Sequence, residues 1–186
     1  MRALVLEQAG APPRLAVRQA PDPIPGPGEV VVQVEACGFC HHDALVMAGV
    51  LRRGVKPEVV LGHELAGRVV RVGEGVATLR VGDAVAALPT NACGACPRCL
   101  AGREHRCLFG QGVGHAIDGG FAQYVKLREH ALVRVPDSLG PAAACLLGCP
   151  IGVALHAARD VARVRRGETV LVTGAGGGLG AHAVQV

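Results

Sequence analysis

Apolar and polar positions alternate in short runs over the first three quarters of the chain. Residues 2–6, 14–18 and 30–34 read as strands, the third being Val30-Val31-Val32-Gln33-Val34, rich in β-branched residues that suit a pleated surface. Pro21, Pro23, Pro25 and Pro27 form a stiff connector before it. Further strand patterns occupy 59–61, 65–72, 84–88, 122–127 and 132–135. Turn signals separate them: Gly73-Glu74-Gly75, Gly82-Asp83, Asp118-Gly119-Gly120 and Pro136-Asp137. Many short strands with this punctuation predict a β-barrel or sandwich-like body.

The spacing changes after Pro136. Ala142–Leu147 is helix-prone, and Pro150 can open a second helix in which Ile151, Leu155, Ala158 and Ala162 recur at helical spacing to about Val164. Gly167 suits a C-terminal cap. The buried-strand pattern Thr169-Val170-Leu171-Val172-Thr173 and a glycine-rich turn follow. The fold class is therefore mixed α+β: a β-body, then the opening of an α/β unit. Pro141–Ala158 carries no formal charge and is long enough to raise the question of a membrane span. Pro150, Gly148, Gly152, two cysteines and His156 inside it favour two short buried helices, and no membrane partner is expected.

Composition narrows the function. The chain has 186 residues, 50% apolar and 18% charged, enough to bury a core. Three Phe, one Tyr and no Trp are too few for a base-stacking nucleic-acid binder. The net charge of +4 is scattered rather than gathered into a phosphate-tracking patch. The apolar start is interrupted at Glu7, so no secretory leader is expected and the compartment is read as cytoplasmic. In a reducing compartment, eight clustered cysteines read as metal ligands rather than disulfides.

Cys93, Cys96, Cys99 and Cys107 form C-x2-C-x2-C-x7-C. Zinc suits four thiolates in a closed tetrahedral shell, and Gly94, Pro97 and Gly102 let a short loop wrap around it. A bacterial iron–sulfur motif has its fourth Cys after three residues and before Pro; here it comes after seven and before Leu108. Zinc is favoured, with a lobe over about 91–109. His105 reads as a surface residue of that lobe.

A second constellation is scattered: Cys37-Gly38-Phe39-Cys40-His41-His42-Asp43, Gly62-His63-Glu64 and Gly148-Cys149-Pro150. Two Cys and one His would hold a catalytic zinc with one open position, and a carboxylate would orient the histidine. Spacing alone does not choose between Cys37 and Cys40, nor between Cys145 and Cys149.

In this order the motifs resemble the zinc-dependent medium-chain alcohol dehydrogenases, along the whole chain. They run C-H-x-D, G-H-E, the four-Cys lobe, Asp118–Tyr124 as D-G-G-F-A-Q-Y, a Gly-Cys before a helix, then a strand and a glycine-rich turn. The resemblance implies a GroES-like β-barrel catalytic domain over 1–149, and over 150–186 a linking helix with the first strand and glycine turn of a Rossmann domain. It implies catalytic-zinc ligands Cys40, His63 and Cys149, supporting roles for Asp43 and Glu64, and His41 near the cofactor pyrophosphate. Cys37 and Cys145 become ordinary buried thiols. Where the family usually has Ser or Thr, this chain has His42, an imidazole able to move protons near neutral pH. Where many members have a relay histidine, it has Leu45.

The turn Thr173–Gly180 lies between a strand pattern and a helix-like segment, as a dinucleotide pyrophosphate requires. Its register is Gly174, Gly177 and Gly180, with Gly178 beside them. The acidic ribose-binding residue is expected about 20 residues further on, beyond Val186, so the chain is expected to be the first part of a longer enzyme. The implied activity is alcohol–aldehyde or alcohol–ketone interconversion with NAD or NADP and two zinc ions per chain, in a homodimer or homotetramer. The alternatives are an enone or acyl-CoA double-bond reductase of the same superfamily, and a catalytically silent zinc-binding fragment.

Overall fold

The computed structural model describes residues 1–186. β1 (Arg2–Gln8) and β2 (Arg14–Gln19) pair antiparallel as a separate hairpin. β3 (Glu29–Gly38) leads into a short helix, α1 (His41–Met47), and returns as β4 (Glu64–Val72). β5 (Ala84–Ala87) follows, then a lobe containing β6 (Thr90–Asn91), α2 (Pro97–Leu100) and β7 (Gln111–Gly112). β8 (Tyr124–Arg128) and β9 (Leu132–Arg134) complete the sheet. The chain ends in a long helix, α3 (Pro141–Val161), and a short one, α4 (Gly178–Ala183).

Five strands form one antiparallel sheet in the order β8-β3-β4-β5-β9. Val30 and Val32 of β3, Leu65 and Val69 of β4, Val85 of β5, and Val125 and Leu127 of β8 share one core. Lys126, between the last two, is exposed, as the period-2 pleat demands. Burying each such side chain contributes about 1.5–3 kcal/mol.

Three expectations change. The run 59–61 makes only a single bridge, Val5 to Val60. The Asp118 carboxylate, not a strand, accepts the Val60 N–H at 2.9 Å. The two short buried helices are one helical stretch, π-type at Leu147–Ile151 and Ala157–Val161. Pro150 removes an N–H, and the π-type turn accommodates it: Ile151 N–H reaches back to the Leu146 carbonyl at 3.2 Å. This helix is long and apolar enough to span a membrane by length and composition, and only 17% of its apolar window is buried. It passes without a break through the boundary expected at 149/150. Finally, Thr169–Thr173 forms no strand. It has no neighbour to pair with, and Leu171 is 89% exposed.

Candidate metal centres and cofactor turn

The sheet register builds the first site. Gly38, the last residue of β3, pairs with Glu64, the first of β4. Cys40 lies two residues beyond one strand end and His63 one residue before the other, so both project from the same end of the ladder. β5 ends there too, since Ala86 pairs with Ala66. Gly148 of α3 packs against that end so tightly that a Cβ would lie 2.1 Å from the Ala87 carbonyl oxygen. The next residue is Cys149. The ligand atoms of Cys40, His63, Glu64 and Cys149 consequently lie within 4.8 Å of one another.

Asp43 holds this arrangement from beneath. It is fully buried. One carboxylate oxygen accepts the Cys40 N–H at 2.9 Å and the other accepts the Gly62 N–H at 3.3 Å. The second oxygen stands 3.6 Å from His63 Nδ1. Burial alone would raise the Asp43 pKa; the neighbouring His63 and the two amides outweigh it and hold the carboxyl below its ordinary value. His63 Nδ1 faces a carboxylate, which leaves Nε2 for an ion. Burial, chiefly, pushes the Cys40 and Cys149 thiols above their ordinary pKa. Two thiols and an imidazole gathered in a partly buried spot are the donor set zinc takes.

Two features were not foreseen. Glu64, expected as a supporting carboxylate, is itself a fourth donor in the cluster. It has room because position 38 is glycine: a Cβ there would lie 2.4 Å from Glu64 Oε2. His115, a lone histidine in a turn, also reaches the site. Its ring lies 5.1 Å from that of His42, which lies 5.1 Å from that of His63. Burial, aided by these two imidazoles, lowers the His42 pKa. Cys37 and Cys145 stay outside the cluster, Cys145 as a buried thiol and Cys37 partly buried.

The second site is the lobe. Sγ separations are 3.5 Å for Cys96–Cys99 and Cys93–Cys107, 3.9 Å for Cys96–Cys107 and 4.0 Å for Cys93–Cys99. Tetrahedral zinc with bonds of about 2.3 Å sets its sulfurs roughly 3.8 Å apart. The backbone N–H of Ala95 lowers the Cys93 pKa and that of Leu108 lowers the Cys96 pKa, while burial raises Cys99. His105 is outside this set and tilts against His156 of α3, with centroids 5.5 Å apart.

The family model described as the alcohol dehydrogenase GroES-like domain matches residues 26–137. The chain belongs to that family. It is 40% identical over 189 residues to an alcohol dehydrogenase of Geobacillus stearothermophilus, covering 100% of this chain and 54% of that protein. It is 38% identical over 170 residues to an acryloyl-coenzyme A reductase of Sulfurisphaera tokodaii, covering 91% of this chain and 51% of that protein. Among solved structures, a cobalt- and zinc-bound thermostable alcohol dehydrogenase from Pyrobaculum aerophilum superposes with TM-score 0.88 at 32% identity, over 100% of this chain and 55% of that one. The chain spans about half the length of the curated relatives it matches.

Family membership fits the GroES-like body; at the other end the glycine-rich segment makes a tight turn that leads into α4 with no strand before it. Gly174 has φ +70°, and a Cβ on Gly180 would lie 2.1 Å from the Gly174 carbonyl oxygen. Gly177 donates its N–H to that same carbonyl at 3.0 Å and caps α4. Gly178 opens α4 with space around it. His41 is exposed at the first turn of α1.

Proposed function

We propose that the chain is the catalytic portion of a zinc-dependent oxidoreductase that interconverts alcohols and aldehydes or ketones with NAD or NADP. The observation that carries this reading is the convergence of Cys40, His63 and Cys149 at one end of the sheet. These three would hold the catalytic ion, with Glu64 as a fourth donor while no substrate is present. Cys93, Cys96, Cys99 and Cys107 would hold a second, structural ion. When bound, zinc supplies Lewis-acid polarisation of an alcohol or carbonyl oxygen, and the nicotinamide exchanges the hydride.

The remaining roles belong to this chain's own residues. Asp43 fixes His63 and, through the Cys40 N–H, the start of α1. His42, beside His63, takes or returns the substrate hydroxyl proton. Gly174, Gly177, Gly178 and Gly180 admit the pyrophosphate to the α4 turn, with His41 as its cationic neighbour. Gly148 and Cys149 fix α3 to the sheet at its midpoint, which a membrane span does not allow. We therefore assign α3 to a protein interior, linking residues 1–149 to a nucleotide-binding domain that starts in 150–186. A cytoplasmic homodimer or homotetramer is the corresponding assembly, with a small-molecule substrate and no nucleic acid.

A second reading is a double-bond reductase acting on enones or acyl-CoA thioesters. His42 at the position usually held by Ser or Thr favours it, as does the likeness to an acryloyl-coenzyme A reductase. Metal analysis tests the site common to both. Wild type should carry two zinc per chain and Cys40→Ala one. Two in the variant would overturn the assignment. Assays of the enzyme in its full extent, with alcohols against enones, separate the two readings.

A further inference from the structure

His115 stands outside every motif that led to the site, yet two segments converge on it. Its backbone carbonyl accepts the Lys56 N–H at 2.7 Å, and its ring Nε2 lies 3.0 Å from the Arg53 carbonyl oxygen. A carbonyl only accepts, so Nε2 carries the hydrogen. In the neutral ring Nδ1 is then a bare lone pair. That atom is buried without a partner, and so is Nδ1 of His42. The two rings meet at 5.1 Å with a 48° tilt. A buried acceptor without a partner is costly, so the pair is suited to share a hydrogen bond through one buried water.

We propose that His115 is a positioning residue for His42. The Arg53 carbonyl fixes the tautomer of His115. Its Nδ1, as an obligate acceptor, then selects the N–H form and ring orientation of His42 beside His63. The inference deepens the proposed dehydrogenase site, because His42 is the proton-handling group of that reading. It assigns to the turn at 115, through the loop 52–56, control over which nitrogen His42 offers to a substrate.

The test is imidazole 15N NMR on the labelled chain without substrate, which reads tautomers whether or not the chain turns over. Wild type should show His42 as a single tautomer. His115→Gln keeps an N–H for the Arg53 carbonyl and an oxygen acceptor, and should preserve that signature. His115→Leu offers neither, and His42 should move to averaged, mixed-tautomer shifts while β3 and β4 amides stay in place. Unchanged His42 shifts in His115→Leu, with amides of 52–56 displaced, would make His115 a loop clamp only and overturn the inference. Equal disturbance in Gln and Leu variants would also overturn it. Neither result bears on whether the zinc ligands are correctly assigned.

Discussion

The carboxylate of Asp43 lies 3.6 Å from Nδ1 of His63, and the same carboxylate accepts the backbone N–H of Cys40. One buried anion thus faces the imidazole of one candidate ligand and accepts from the peptide group of another, 23 residues away in the chain. Replacing it by an amide removes the charge and turns half of its acceptors into donors. Asp43→Asn should weaken metal binding at this site about 10–100-fold, while the lobe is unaffected. Competition with a chromogenic chelator should resolve one weakened and one unchanged ion.

The lobe has its own buried cluster, separate from the core of the sheet. Ala92, Cys96 and Cys99 form their own small buried cluster, with Cys93 and Cys107 against it and no large apolar side chain. An ion held there would therefore supply most of the lobe's folding energy; apparent zinc binding in such sites is worth about 10–16 kcal/mol. Cys99→Ser, or chelation, should make 91–109 susceptible to proteolysis while the sheet remains protected. Uniform loss of protection across the chain would contradict this separation.

Gly148→Ala tests how Cys149 is placed. The added methyl meets backbone rather than a flexible side chain, 2.1 Å from the Ala87 oxygen. Either α3 lifts or β5 shifts, and each moves Cys149 away from Cys40 and His63. The expected product is a folded chain with one tightly held zinc in the lobe. Retention of two tightly held ions would show that the end of β5 yields without cost to the site.

Much of this was legible in the sequence, for identifiable reasons. The four-cysteine lobe is local: its four cysteines lie within one loop, so spacing alone singles them out, and the structure brings their sulfurs together. The first site is not local. Cys40, His63 and Cys149 meet only through the Gly38–Glu64 register and the packing of Gly148 on β5, neither of which spacing encodes; only the family resemblance picks out these three residues. His115 was invisible because a single histidine in a turn carries no pattern. Pro150 reads as a helix start, whereas it sits inside a π-type turn of one continuous helix, which absorbs its missing N–H. Thr169–Thr173 has a strand pattern, but a strand exists only where another can pair with it.

Glu129 gives a pH prediction away from the metal sites. Its carboxylate accepts the Ala77 N–H at 3.0 Å, the Thr78 hydroxyl at 2.6 Å and the Thr78 N–H. Burial alone raises its pKa; these donors outweigh that and leave it below its ordinary value. A depressed folded pKa means stability fully present above the unfolded value of about 4.3 and lost as pH falls through the folded value. Glu129→Gln should cost about 1–2 kcal/mol at pH 7, and the difference should shrink below about pH 4. Urea midpoints at pH 7 and pH 3.5 check it; an equal gap at both would exclude a role for the charge.

The glycine turn should not bind a dinucleotide on this chain alone. Its close packing is formed, with Gly180 against Gly174. A pyrophosphate site also needs the strand before the turn held in a sheet, so that the α4 N–H groups present a fixed cradle. Here Val170 and Leu171 are 55% and 89% exposed, and α4 has only six residues. Ordering the strand, turn and helix together would cost about 1–2 kcal/mol per residue, more than contacts from one turn return. Titrating the chain with NADH and following nicotinamide fluorescence should give a linear, unsaturated response to millimolar concentration. Saturable binding abolished by Gly180→Val would show that the turn is already ordered as it stands, and would overturn the prediction.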